Sequence, residues 1–302
     1  MIYVGQLECY EQSSELLEEL MQVKMSSSQI YRVSDSYGKQ LDSNDRATPV
    51  LEYPKDQDVV YIEVDGSMVF TREHAWKETK LARIFLSSDC TKTNTDKRGM
   101  ILNSHYIAHL GDKDTFINKV EEALALYSKS KALFVFISDG ATWIRNWIED
   151  SFGDKAVSVL DYYHAMEYLH EFANSSIVEE QEKQQWLEKQ KDFLLEGQVS
   201  QVIKTINQME VNQQSKKKII NYYKANQNRM NYKKYTTIGA GLIGSGAIES
   251  AHRTVIQKRL KLSGQRWRMQ GARHMLKLRT IKMNKNWNKV INLVQTEFKK
   301  AS

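Results

Sequence analysis

Two short apolar segments that enclose an amphipathic segment constrain the fold of this chain more than any other feature. The first, KALFVFISDGA (residues 131–141), contains the run LFVFI, and the second is AVSVLDYYHA (156–165). Continuous apolar runs of this length are typical of strands buried on both faces of a sheet. The intervening TWIRNWIEDSFG has helical spacing, so this region predicts a strand, a helix and a second strand that ends at Asp161.

The residues before this unit predict three more strands and a helix. VVYIEVDGSMVF (59–70) and WKETKLARIFLSS (76–88) are rich in β-branched and aromatic residues, and SHYIAHLG suits a third strand. Residues 90–104 are polar and indicate a loop, whereas residues 112–130 have helical periodicity. The order of these elements predicts the α/β class, with a mixed sheet flanked by helices.

The first 57 residues predict a helical region followed by a linker. Residues 10–25 have helical spacing, and a Ser-rich turn leads into a second helix, a pattern that suits a helix-turn-helix or an ordinary helical hairpin. Both prolines lie in 44–57, which indicates the linker. In a helix-turn-helix, the candidate groove contacts would be Ser27, Ser28, Gln29, Arg32 and Lys39.

Composition excludes several classes of protein. No apolar run reaches the roughly 18 residues that span a bilayer, so we expect no membrane partner. The N-terminus carries acids where a signal peptide needs an apolar stretch. Two distant cysteines, Cys9 and Cys90, exclude a disulfide framework and a zinc finger, so we expect a cytoplasmic protein.

The positive charge is concentrated near the C-terminus. Residues 249–302 hold 14 Lys and Arg against two acids, which leaves 43 − 14 = 29 basic and 37 − 2 = 35 acidic residues in 1–248. The tail is therefore +12 and the rest −6. A segment this basic favours a polyanionic partner, although a charge run alone also suits a solvated helix.

Three acids occupy positions that the fold could bring together. Asp65 lies on the first long strand, Asp139 ends the apolar run 131–141, and Glu249 opens a helix after a Gly-rich turn. Carboxylates are the ligands that Mg²⁺ prefers, and two such ions can promote displacement at a phosphodiester. Asp–Gly pairs are also common in plain turns, and an acid at a helix start also faces the helix dipole. The basic tail that follows Glu249 favours metal-assisted chemistry on a nucleic acid.

A second cluster, Asp161 and His164, lies three residues apart in DYYHA. Asp161 could replace Asp139 as the second metal ligand, orient His164, or hold the end of its strand in place. A histidine beside aromatic residues is also common as a purely structural residue.

Together these segments resemble the DDE transposases of bacterial insertion sequences, in particular the ISKra group, which is distantly similar to Mutator-type transposases. The matching segments follow the family's order across residues 59–287. They are VDGSMV around Asp65, WKETKLARIF, YIAHLGDKDTF, ISDGATWI, VLDYYHAMEYL, IGSGAIESAHRTVIQKRLKLSGQRW and GARHMLKLR.

The resemblance implies an RNase H-like core (58–165) that is interrupted by an all-helical insertion (166–237) and completed by residues 238–302. It implies that Asp65, Asp139 and Glu249 are the catalytic triad and bind two Mg²⁺ ions, with Mn²⁺ as a possible substitute. Asp161 and His164 match an accessory motif. Family members usually carry a longer N-terminal region, whereas only 58 residues precede the first catalytic strand here.

The resemblance also implies DNA as the partner: terminal inverted repeats and target DNA, bound by a homodimer or larger assembly in a bacterial, nucleoid-associated location. We expect basic side chains after Glu249 to clamp backbone phosphates, and Trp267 to stack on an unpaired base or pack in the core. The predicted DNA contacts are Arg253, Lys258, Arg259, Lys261, Arg266, Trp267 and Arg268.

Two other functions are compatible with the same sequence features. Another RNase H-like nuclease, such as a resolvase or an RNA:DNA hybrid nuclease, would use the same chemistry. A decayed or domesticated transposase would act as a DNA-binding protein without cleaving DNA.

Overall fold

A five-stranded mixed sheet forms the centre of the protein in a computed structural model, which describes residues 1–43, 46–92, 99–128 and 131–301. The strand order is β5-β2-β1-β6-β7. The first three of these strands are antiparallel neighbours, whereas β6 and β7 run parallel to β1. The strands are β1 (Val59–Thr71), β2 (Ala75–Leu86), β5 (His105–Leu110), β6 (Leu133–Ser138) and β7 (Ala156–Leu160).

The predicted mixed α/β sheet flanked by helices is therefore confirmed. One part differs from the prediction, because the expected loop 90–104 contains a small two-stranded ribbon, β3 (Cys90–Lys92) and β4 (Gly99–Ile101). Residues 93–98 of that loop lie outside the described residues. So do 44–45 of the predicted linker and 129–130 of the predicted helix.

The two faces of the sheet are covered by different sets of helices. Val60, Ile62 and Val64 of β1 belong to one core, with α4 (Lys113–Ala125) and α5 (Thr142–Phe152). Val59 and Tyr61 alternate with them and belong to a second core on the opposite face. Because a parallel strand pair needs a crossover connection, α5 on the first face joins β6 to β7.

The second face is covered by a helical region between β7 and the Gly-rich turn. All the regular elements between Tyr162 and Tyr235 are helical, as the sequence predicts. Tyr223 lies at the centre of this packing and its hydroxyl donates to the carbonyl of Ala165 at 2.8 Å. The α-helices are α6 (Tyr162–Ser176), α7 (Glu180–Leu195), α8 (Val199–Gln208), α9 (Gln213–Asn226) and α10 (Tyr232–Tyr235).

The basic C-terminal segment is also helical and packs against the N-terminal region. Its first helix, α11 (Gly246–Ala251), continues into a π-helical segment (His252–Gln257) and the short α12 (Lys258–Leu260). The long helix α13 (Met269–Met283) follows, and the last is α14 (Asn288–Ala301). No helix among the described residues is both long and apolar enough to cross a bilayer.

The N-terminal region contains α1 (Ile2–Leu7), α2 (Tyr10–Met21) and α3 (Ser27–Ser43). Helix α3 packs on α13, where the Asp35 carboxylate lies 2.7 Å from Nδ1 of His274. Of the candidate groove contacts, Ser28, Arg32 and Lys39 are exposed and Ser27 and Gln29 half-buried. The Arg32 guanidinium donates to Gln29 at 2.7 Å.

The contact between α3 and α13 depends on a glycine. A Cβ atom on Gly38 would lie 2.7 Å from the carbonyl oxygen of His274, which is too close for backbone. We therefore expect Gly38→Ala to lower the free energy of unfolding by about 1–3 kcal/mol, measured by denaturant titration. Gly271→Ala is the matched control: it meets only Asp35 at 3.8 Å, so stability should be unchanged or slightly higher. Equal stability of the two variants would contradict this packing.

Candidate functional site

Three aspartates lie just beyond the last residue pairs of the two parallel ladders. Val64 pairs with Ser138 and Ser138 with Leu160, and these are the last pairs of the two parallel ladders. The next residues along the three strands are Asp65, Asp139 and Asp161. Asp65 alternates with Val64 and so lies on the face that α6 and α11 cover, and Asp161 is the N-cap residue of α6. Asp139 and Asp161 are at the carboxyl ends of β6 and β7, the usual position of a functional site, whereas Asp65 lies within β1, which continues to Thr71.

Asp65 is reachable from solvent and is supported from behind by a histidine. Its side chain is 38% exposed, and its Oδ2 lies 3.2 Å from Nε2 of His252, which is buried. Its Oδ1 accepts the Gly66 N–H at 2.7 Å. Among the described residues, the ring nitrogens of His252 have no hydrogen-bond partner, so Asp65 is its principal polar neighbour.

Asp139 is electrostatically coupled to Asp65. Burial raises the pKa of Asp139, and the negative charge of Asp65 raises it further. Asp139 accepts a hydrogen bond from the Ala141 N–H at 3.1 Å, and this bond lowers its pKa. The charges of His164 and Arg229 lower it too. Two acids predicted from the sequence are therefore close enough to repel each other.

Asp161 is engaged in structural hydrogen bonds. It is buried, it caps α6 by accepting the Tyr163 N–H at 2.9 Å, and it accepts both the N–H and the hydroxyl of Ser245. These bonds connect the end of β7 to the Gly-rich turn before α11. Of the roles considered for Asp161, holding the strand end in place is the one that its contacts match. His164 instead lies 3.1 Å from Glu167.

Glu249 is exposed in α11, and a buried glutamate fastens this helix to the sheet. Glu63, two residues before Asp65 on β1, has no solvent exposure and accepts the Ile248 N–H at 2.6 Å. Burial raises the pKa of Glu63 to about 8, and the charges of Asp161 and Glu249 contribute to the rise. His252, which contacts Asp65, is three residues after Glu249. Strand and helix therefore meet beside Asp65.

Arg83 completes the connection beneath α11. Its guanidinium donates to the Ala247 carbonyl at 2.8 Å and to Ser104 at 2.9 Å, and it lies over the ring of Tyr106. Its charge acts against the rise in the pKa of Glu63. Arg83 pairs with Glu63 in the register of β1 and β2, so the two side chains share one face.

Arg229 contacts the two strand ends from the helical region. It is buried and donates to Ser138 at 2.8 Å and to Ser158 at 2.9 Å. Its charge also lowers the pKa of Asp139. No local sequence pattern distinguishes Arg229. Glu63 and His252 do carry signals, an acid inside an apolar strand and a histidine three residues after Glu249.

The predicted DNA contacts divide into exposed and buried side chains. Arg259 and Trp267 are buried and pack on each other, with the guanidinium carbon 4.9 Å from the ring centre. For Trp267, this matches the core packing that was the alternative to base stacking. Lys261 donates to Ser67, two residues beyond Asp65 on β1, at 3.0 Å. The exposed members are Arg253, Lys258, Lys261, Arg266 and Arg268.

The three predicted catalytic acids do not form a ready-made ligand cluster. Within the part of the chain that the structure describes, no group of three or more His, Cys, Asp or Glu side chains could hold a metal ion as it stands. Asp65 and Asp139 are coupled directly, whereas Glu249 is connected to them through Ile248 and His252 on its own helix.

The buried state of Glu63 predicts a pH dependence of stability. Its pKa is about 8 in the folded protein against an ordinary value of 4.5, so the folded state binds the extra proton. The contribution of Glu63 is therefore complete below about pH 4.5 and is lost as the pH rises towards 8. We expect the free energy of unfolding of wild type, relative to Glu63→Gln, to fall over this window in denaturant titrations. A constant difference across the window would contradict a protonated Glu63.

Comparison with known proteins identifies the family of this chain. No curated protein matches the chain. A family model matches residues 5–297, which include the sheet, the helical region and the basic segment. The chain therefore belongs to the uncharacterised protein family UPF0236.

Proposed function

We propose that this protein is a DDE-type DNA transposase with an RNase H-like catalytic core. It would hydrolyse phosphodiester bonds at the ends of an insertion sequence and transfer the freed 3′ ends to target DNA. One observation carries the proposal: Asp65 and Asp139 come directly after the last pair of the parallel β1/β6 ladder, and the charge of Asp65 raises the pKa of Asp139, beside the helix that carries Glu249. The resemblance of the sequence segments supports the same assignment.

The acids suit a divalent metal by their chemistry and placement. Mg²⁺ needs only one or two protein carboxylates per ion, with water and phosphate oxygens as the other ligands. The repulsion between Asp65 and Asp139 is the kind of interaction that a cation relieves. In the proposal, Asp65 and Asp139 hold one Mg²⁺, and Asp65 and Glu249 a second, with Mn²⁺ as a substitute. When bound, such ions supply stabilisation of the attacking and the leaving oxygen.

The surrounding residues prepare these acids for that role. The buried ring of His252 lies 3.2 Å from one oxygen of the half-exposed Asp65. Arg229 and His164 favour the ionised form of Asp139 against the effect of burial. Glu63 attaches α11 to β1 and so sets the position of Glu249 relative to Asp65. Each of these contacts favours a carboxylate set that is oriented before DNA arrives.

The exposed basic residues after Glu249 would hold the DNA backbone at this edge. Arg253 and Lys258 are exposed on the continuation of α11, and Lys261 is attached to Ser67 near Asp65. Phosphate contacts of this kind position DNA without reading its sequence. The buried Arg259 and Trp267 are not part of this proposed surface.

The triad is tested by single alanine substitutions. We expect Asp65→Ala, Asp139→Ala and Glu249→Ala each to lower Mg²⁺-dependent cleavage of an end-sequence oligonucleotide by about 10³-fold, because several kcal/mol of charge stabilisation are lost. Asp154→Ala is the matched control, since this exposed acid precedes β7 and so lies at the opposite end of the strand from Asp161. Full cleavage by any triad variant would remove that residue from the triad. Full cleavage by Asp139→Ala combined with loss in Asp161→Ala would make Asp161 the second acid.

The same assay separates the two alternative functions. A nuclease would cleave but would not join a pre-cleaved 3′ end to a second duplex. A DNA-binding protein without activity would bind in the absence of metal and cleave nothing.

The DNA surface is tested by the salt dependence of binding. The slope of log K against log salt is negative, and each lost phosphate contact reduces its magnitude by about 0.9. The double variant Arg253→Ala with Lys258→Ala should therefore reduce this magnitude by about 1.8. Fluorescence anisotropy of a labelled duplex measures this slope. Lys131→Ala with Lys155→Ala removes the same charge before β6 and β7, at the far edge of the sheet, and should leave the slope unchanged. Equal slopes for the two double variants would contradict the proposed surface.

A further inference from the structure

A second basic site lies away from the acids, between the N-terminal helices and the segment before α13. It is a cavity of about 520 Å³ whose walls include Tyr10, Tyr31 and Gln265. One acid, Glu11, also lines it. Against this acid stand four arginines: Arg72, Arg259, Arg266 and Arg268.

Arg259 forms the inner wall of this cavity and has no solvent exposure. Its guanidinium carbon lies 4.6 Å from the ring centre of Tyr10 and 4.9 Å from that of Trp267. Its Nε donates to the Gly5 carbonyl at 2.9 Å. Neither Nη1 nor Nη2 has a hydrogen-bond partner among the described residues. A buried guanidinium that keeps two donor groups unused is costly unless an acceptor is supplied.

A second buried arginine adds to the positive charge. Arg279 is 2% exposed, and it donates to the carbonyls of Gln6, Val255 and Thr254. Burial lowers the pKa of Arg279 to about 10, and the charge of Arg259 contributes to this shift. Buried charges in proteins are normally paired. Within the described residues, neither arginine has a carboxylate within ion-pair distance, so the region lacks a counter-anion.

The neighbouring groups of the chain do not supply that anion. The charges of Glu8 and Glu11 favour the charged form of Arg259, but neither forms an ion pair with it. Burial raises the pKa of Tyr10 to about 12, so its hydroxyl is neutral at physiological pH. Glu73 accepts the Met269 N–H at 2.9 Å at the start of α13.

We infer that this cavity is a binding site for a phosphoryl group. Guanidinium groups bind phosphate oxygens through paired N–H donors, and Arg266 and Arg268 are exposed at the mouth of the cavity. Arg259 lines the cavity, and Arg279 lies close enough to Arg259 for the two positive charges to interact. The same group could come from a DNA backbone or from a free phosphate compound, and both present the oxygens that this site lacks. The inference stands apart from the proposed catalytic activity.

Thermal unfolding of the full-length protein tests the site. Because ligand binding to the folded state alone raises Tm, inorganic phosphate at about 100-fold above its Kd should raise the wild-type Tm by roughly 5 °C over sodium chloride of equal ionic strength. Arg266→Ala with Arg268→Ala should lose most of this gain. Lys299→Ala with Lys300→Ala, which removes two exposed charges at the C-terminal helix, should keep it.

Arg259→Met provides an independent variant. It removes the buried charge, so its phosphate response should be absent whatever its own Tm. If this variant does not fold, the Arg266 and Arg268 comparison decides alone. A wild-type Tm that responds equally to phosphate and chloride would overturn the inference, and so would an undiminished response in the cavity variants.

The source of the phosphoryl group is read from parallel arms. A duplex oligonucleotide that raises Tm, with the gain reduced in the Arg266 and Arg268 double variant, identifies a DNA phosphate. A gain with inorganic phosphate or a nucleotide, without one for the duplex, identifies a free phosphate compound. Either result supports the site. Neither depends on the triad, so failure of cleavage and failure of this site remain distinguishable.

Discussion

A single buried hydrogen bond determines how the parts of the candidate site meet. Glu63 on β1 accepts the N–H of Ile248 at 2.6 Å, and these two residues are 185 positions apart in sequence. An acid in an apolar strand is costly to bury, and its protonated state reduces this cost. The same N–H also donates to the Ser245 carbonyl at 3.0 Å, so loss of the Glu63 bond would cost the helix that carries Glu249 a polar attachment to the strand of Asp65 and not its local turn. Burial of Glu63 is unfavourable by itself, but the hydrogen bond that it makes fixes how α11 and β1 meet at the site.

The helical region contributes to the same site by a similar device. Arg229 reaches from the end of this region to the hydroxyls of Ser138 and Ser158, one residue before Asp139 and three before Asp161. Asp161 then holds Ser245 of the Gly-rich turn that leads into α11. A continuous chain of polar contacts therefore runs from the helical region through two strand ends to the start of α11. Buried polar networks of this kind define one arrangement when every member is satisfied.

The sequence predicts the strands and the acids at their ends, because apolar runs of strand length and terminal aspartates are local patterns. The pairing of β6 with β1 follows from no local pattern, and it is this pairing that places Asp139 beside Asp65. The sequence allows Glu63 to be placed on the same face as Asp65, since side chains two residues apart in a strand share a face. The role of Arg229 cannot be predicted in this way, because its partners Ser158 and Ser138 lie about 70 and 91 residues away in sequence. Long-range contacts of this type depend on tertiary packing rather than on local propensity.

The basic C-terminal segment shows that charge counts overstate a nucleic-acid surface. Arg259 and Arg279 belong to the +12 excess, yet both are buried and bond to backbone carbonyls of the N-terminal helices and of the π-helical segment. Guanidinium groups suit this role because they are weakly hydrated and offer several donors in one plane. They connect α1 to the helices that follow Glu249, so part of the charge serves folding. Of the exposed basic residues that remain, Lys261 donates to Ser67 near Asp65, whereas Arg266 and Arg268 line the separate cavity, so the position of each charge matters more than the number of charges.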